Sequence, residues 1–126
     1  MKIIFKGAPL STQSIYRCTC LGKFARLYMT KKGKQLKEKY QWEIKSQYKG
    51  KIFEGDCRVK ITLFFKRKGI ADIDNFNKLV IDSLQGIILK NDSQIQELLI
   101  KKDYSKENPR IEIELLKIKK LEKELK

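Results

Sequence analysis

The chain contains no histidine. That absence removes Ser-His-Asp and Cys-His nucleophilic machinery, histidine general bases and histidine-ligated zinc. A catalytic metal would have to be held by carboxylates, and oxygen-only ligation suits hard cations, chiefly Mg²⁺ and Mn²⁺. Cysteine is scarce too: there are three, an odd number that cannot all pair within one chain. Cys18-Thr19-Cys20 is spaced too closely for a zinc knuckle, and no second pair completes it. With Cys57 alone in a strand-like stretch, reduced thiols are expected. No apolar run is long enough to cross a bilayer. Met1–Gly7 lacks the long apolar segment of a signal peptide, so a cytoplasmic location is expected.

Negative charge is also in short supply. Lys and Arg total 29 against 15 Asp and Glu, a formal net charge of +14. Self-repulsion on that scale opposes compactness and favours a polyanionic partner. Nucleic acid comes first, an anionic membrane surface second. Hydrophobic residues make up 41% of the 126 residues, enough for one ordinary core. The length favours one domain over residues 1–126.

The periodicity alternates between strand and helix. Lys2–Gly7 reads as a strand, broken by Pro9 and Ser11. Ser14–Met29 has no clean period and reads as a loop or irregular hairpin. Thr30 caps a helix running to about Tyr48, with Leu36, Tyr40, Ile44 and Tyr48 on one face. Gly33 weakens its start and Gly50 offers a stop. Cys57–Phe65 alternates with period two, the cleanest strand signal in the chain. A second helix is expected from about Asp74 to Gln85, with Phe76, Leu79, Val80 and Leu84 as its apolar face and Gly86 closing it. Ile95–Lys102 and Arg110–Lys117 read as strands with a turn at Glu107-Asn108-Pro109, and the Lys/Glu-rich tail after Ile118 has helical spacing. This order predicts an α+β fold: one domain, a small mixed sheet of about four strands, two main helices packed on it. Trp42 and Phe64 are expected in the core or a dimer interface.

Against the positive background, the acids that matter are clustered. Asp72 and Asp74 flank Ile73, and in extended backbone residues two apart point the same way. Lys78 and Asp82 follow at spacings of four, a polar stripe on the second helix. Taken alone, this pattern fits a helix cap and a solvated ion-pair ladder as well as it fits a site. The basic stretch Lys66-Arg67-Lys68 immediately before it, and Asp92 in a turn beyond the helix, favour a site. Acids that hold a cation beside bases that hold phosphate are what metal-dependent phosphodiester hydrolysis requires. A basic nucleic-acid-binding protein without catalysis is the alternative.

Asp72-Ile73-Asp74-Asn75, then Lys78, Asp82, Gly86 and Asp92-Ser93-Gln94-Ile95, resemble the signature of the RusA family of Holliday-junction resolvases, small endodeoxyribonucleases often carried by prophages. Gly7-Ala8-Pro9-Leu10-Ser11 with Tyr16-Arg17 is more weakly similar to the family's opening. The resemblance implies a mixed α/β fold, a homodimer, and Mg²⁺-dependent resolution of four-way DNA junctions by paired symmetric nicks, in recombination and repair. It implies Asp72, Asp74 and Asp92 as metal-binding catalytic acids and Lys78 as the catalytic lysine. Mn²⁺ is the alternative cation. Lys66, Arg67 and Lys68, with Arg17, Lys101 and Lys102, are the expected DNA contacts. The chain departs from the family pattern at Asn91, where members commonly carry a second acid. Asn91 is expected to offer the metal at most a neutral carbonyl oxygen.

Overall fold

The computed structural model describes residues 1–11, 15–21, 24–69, 73 and 76–118, with the side chains of 17, 19–21 and 24–27 outside the description. Its strands are β1 (Lys2–Lys6), β2 (Tyr16–Leu21), β3 (Phe24–Met29), β4 (Cys57–Phe65), β5 (Ile95–Tyr104) and β6 (Arg110–Lys117). Its helices are α1 (Lys31–Gln47) and α2 (Lys78–Leu84). Four strands form one sheet in the order β1-β6-β4-β5, and β2 and β3 form a separate antiparallel ribbon. The fold is α+β, as expected. The irregular region after Ser14 is a hairpin, and the tail lies outside the described residues from 119 onward.

The alternation in β4 explains its central place. Cys57, Val59, Ile61 and Leu63 are buried. β6 contributes Ile111, Ile113 and Leu115 to the same core, and β1 adds Ile3 and Phe5. Both helices pack onto this surface: Tyr40 and Ile44 come from α1, Leu79, Val80 and Leu84 from α2. The Phe5 and Tyr40 rings stack with centroids 4.1 Å apart. Each fully buried Ile or Leu contributes roughly 1.5–3 kcal/mol by removal from water. The sheet is mixed because β4 pairs antiparallel with β6 and parallel with β5. The Glu107-Asn108-Pro109 connection therefore carries the chain past β4 and does not close a hairpin.

Thr30 caps α1 as the sequence predicts, accepting from the Gly33 N–H at 3.0 Å. Gly33 has a further role at that end. A Cβ there would fall 2.7 Å from both Ile15 Cγ2 and the Ile15 carbonyl oxygen, so only glycine lets the helix start close against the ribbon.

One expectation is corrected and another is narrowed. The second helix begins at Lys78, not Asp74, at least over the described residues: Phe76 and Asn77 form bends before it. Phe76 is drawn into the core instead, edge-on to Phe65 at 5.0 Å. Trp42 is not in the core; it is 71% exposed, because it falls on the opposite side of α1 from Tyr40 and Ile44. Phe64 is half-buried beneath the Arg110 guanidinium, 3.8 Å from its ring centre.

The free edge of β1 is sealed by α1. The Gln47 side chain accepts from the Ile4 N–H at 2.8 Å and donates to the Ile4 carbonyl at 2.7 Å. Glu43 accepts from the Lys6 N–H at 2.8 Å, and Lys39 donates to the Lys6 carbonyl at 2.6 Å.

Candidate active site and nucleic-acid surface

Lys78 opens α2, and Asp82 stands one turn further on. Their side chains meet at 3.3 Å, the i,i+4 pair expected from the sequence. A third partner comes from β2. The Tyr16 hydroxyl donates to Asp82 Oδ2 at 2.8 Å, and the Lys78 ammonium lies 5.0 Å from the Tyr16 ring centre. Asp82 and the ring of Tyr16 thus flank the lysine on two sides. Burial pushes the Tyr16 hydroxyl well above the usual tyrosine range, and its bond to Asp82 adds to the shift. The hydroxyl therefore remains a donor throughout the physiological range.

Asp92 begins a single 3-10 turn, Asp92–Gln94, directly before β5. Two side chains hold that turn as a reciprocal cap. Asn91 Oδ1 accepts from the Ser93 N–H at 3.0 Å, while Gln94 Oε1 accepts from the N–H groups of Asn91 and Lys90 at 2.9 and 2.8 Å. The Gln94 amide then donates to the carbonyls of Phe53 and Gly55, each at 2.9 Å. Asn91 is therefore engaged as a helix cap. Asp92 is exposed, and its carboxylate meets no hydrogen-bonding or ionic partner among the described residues.

Asp72 and Asp74 lie outside the described residues. Among the described residues no three Asp, Glu or Cys side chains gather to hold a metal. Asp82 is committed to Tyr16 and Lys78. Of the three acids that the sequence nominates as ligands, Asp92 alone falls among the described residues.

The basic surface is built by topology. Because β4 and β5 run parallel, their C-terminal ends lie side by side, joined by the Ser105 N–H donating to the Phe65 carbonyl at 2.7 Å. The exposed turn Lys66-Arg67-Lys68 leaves one end and Lys106 follows the other. Arg67, Lys68 and Lys102 line one groove with Phe65 and Tyr104, and Lys66, Arg67 and Lys106 line the next. Lys101 alternates to the other face of β5 and does not join them. Arg17 lies on β2 opposite Tyr28, its side chain outside the described residues. Asp92 stands at the far end of β5 from this patch.

Sequence reasoning missed the roles of Tyr16, Gln94 and Lys106. Tyr16 is 66 residues from Asp82, beyond any local spacing rule. Lys106 joins the patch only through the parallel pairing. Gln94 had a signal: Asn91-Asp92-Ser93-Gln94 has the spacing of a capping box.

The chain thus combines a basic α+β fold, a lysine clamped on a helix and a capped turn that carries Asp92. The model of the endodeoxyribonuclease RusA family matches residues 9–116, a span that includes Tyr16, Lys78, Asp82, Asp92 and the basic turn. The chain belongs to this family of endodeoxyribonucleases, the Holliday-junction resolvases of the RusA type. No match is found among curated proteins. Among the described residues no helix is long and apolar enough to cross a membrane.

Proposed function

We propose that this chain is a homodimeric, Mg²⁺-dependent endonuclease that resolves four-way DNA junctions by paired symmetric nicks, in cytoplasmic recombination and repair. The observation that carries the reading is the family match across residues 9–116. The absence of histidine supports an all-carboxylate metal site.

Asp72, Asp74 and Asp92 are the residues that would hold the cation. When bound, it supplies Lewis-acid polarisation of the scissile phosphate, a more acidic attacking water and neutralisation of the leaving oxygen. Lys78 is the catalytic lysine, its positive charge available to oxygens that gain charge as the phosphodiester is cleaved. Asp82 and Tyr16 restrict where that ammonium can go. Lys66, Arg67, Lys68 and Lys102 hold the phosphate backbone, with Lys106 beside them and Arg17 and Lys101 as outlying contacts. A two-fold dimer presents two identical sites to a junction of matching symmetry.

The test is nicking of a synthetic four-way junction. Cleavage with Mg²⁺ and none with chelator is the expected result. Tight junction binding without cleavage in Mg²⁺ or Mn²⁺ would sink the nuclease reading.

A further inference from the structure

The two edges of the sheet are treated differently. At β1, side chains of α1 occupy the outward backbone groups of Ile4 and Lys6. At β5, a 10-residue edge, no described element covers the strand. Leu98 and Leu99 are 41% and 52% exposed. The apolar centre Leu98-Leu99-Ile100, set between Glu97 and Lys101, leaves an uncovered stretch of edge that can template another strand.

The backbone direction can be read from the pairing. Ser105 donates to Phe65 on β4, so the odd-numbered residues of β5 turn their amides and carbonyls inward and the even-numbered ones turn theirs outward. Among the outward residues, the Tyr104 N–H is already met by its neighbour Asp103 at 2.8 Å. The N-terminal end of the strand is interrupted by the register shift opposite Cys57 and Arg58. Leu98, Ile100 and Lys102 turn outward between these limits, and the outward groups of Leu98 and Ile100 are unmet among the described residues.

That stretch is complementary to itself. If a second β5 runs antiparallel about a two-fold axis at Leu99, Leu98 and Ile100 of each copy exchange hydrogen bonds. Leu99 then meets Leu99 of the other copy at a close, non-hydrogen-bonded position, and Glu97 faces the other copy's Lys101. Moving the axis to Ile100 would set Glu97 against Asp103, a like-charge pair. An axis at Leu98 would set Glu97 against Leu99 and lose the charge pair, so the Leu99 register is the one of the three that the charges favour.

We infer that β5 is the dimer interface, joining two four-stranded sheets into one through antiparallel pairing centred on Leu99. The inference rests on the homodimer proposed above and specifies its face and register.

The test uses the full chain carrying Cys18→Ser and Cys20→Ser, with buried Cys57 retained. Light scattering gives the mass, and mild oxidation reports the pairing. Leu99→Cys is expected to cross-link as a covalent dimer. Glu97→Cys and Lys101→Cys are expected to cross-link only when mixed. Glu97 is already paired with Arg58 of its own chain, so the charge test is Lys101→Glu, which sets two carboxylates opposite each other and is expected to raise the dimer Kd about tenfold. A dimer that does not cross-link through residue 99, or a Lys101→Glu chain that associates as tightly as the parent, overturns this interface and leaves the dimer standing. A monomer at all concentrations overturns both.

Discussion

The Tyr16 hydroxyl donates to Asp82 Oδ2 at 2.8 Å, and this bond ties the β2–β3 ribbon to the helix that carries Lys78. Asp82 would otherwise be one half of a solvated ion pair of little energetic weight. With Tyr16 on one oxygen and Lys78 beside it, the carboxylate becomes a fixed post against which the lysine is held.

Tyr16→Phe keeps the ring under the Lys78 ammonium and removes only the hydroxyl. Single-turnover cleavage should fall by roughly tenfold, the effect of about 1.4 kcal/mol, while junction affinity stays within about twofold because no phosphate contact is lost. Cleavage at the parent rate would show that the hydroxyl does not position Lys78.

Gln94→Ala opens the turn that carries Asp92. Four hydrogen bonds end on this one side chain, so a stability loss of about 1–3 kcal/mol is expected in urea unfolding. Asn91→Asp behaves differently. Aspartate caps as well as asparagine, so stability should hold while the added charge lowers the Mg²⁺ concentration for half-maximal cleavage. A loss of stability in Asn91→Asp would contradict the capping role assigned to residue 91.

The basic groove predicts a steep salt dependence. Junction affinity should fall linearly on a log–log plot against salt, and Lys102→Ala should reduce the slope by about one unit, as for loss of one phosphate contact. Lys106→Ala should act in the same way. Slopes unchanged by both substitutions would move the DNA to another face.

The sequence and structure agree most closely where contacts are local. The period of two in Cys57–Phe65, the Thr30 cap and the Lys78–Asp82 pair are all set by neighbours within a few residues, and all were legible. The relations that depend on topology were not. Tyr16 reaches Asp82 only because the fold brings the start of β2 beside α2. Lys106 joins Lys66-Arg67-Lys68 and the expected contact Lys102 only because β5 runs parallel to β4. The start of α2 was misplaced because Phe76, counted into the helical face, is held by Phe65 in a bend before it. Asn91, noted in the sequence as a departure from the family's acid pair, also caps the turn.

Glu112 supplies a pH dependence. Burial raises its pKa, but hydrogen bonds from Lys2 and Arg110 outweigh that and hold the carboxyl below its ordinary 4.5. A lowered folded pKa means the ionised form is favoured in the native state. The stabilisation is complete above the unfolded value and is lost as pH falls through the folded one. Thermal unfolding from pH 6 to pH 3 should show the melting temperature dropping below about pH 4.5, and Glu112→Gln should make that drop shallower. An acid limb unchanged in Glu112→Gln would assign it to other carboxylates.

The most direct test of the central claim compares the parent chain with Asp74→Asn on one labelled four-way junction. The parent should introduce paired symmetric nicks in Mg²⁺ and none in chelator. Asp74→Asn should bind the junction at least as tightly, since a negative charge facing phosphate is gone, and should cleave at least about a thousandfold more slowly. Normal cleavage by Asp74→Asn, or no Mg²⁺-dependent cleavage by the parent, would contradict the account.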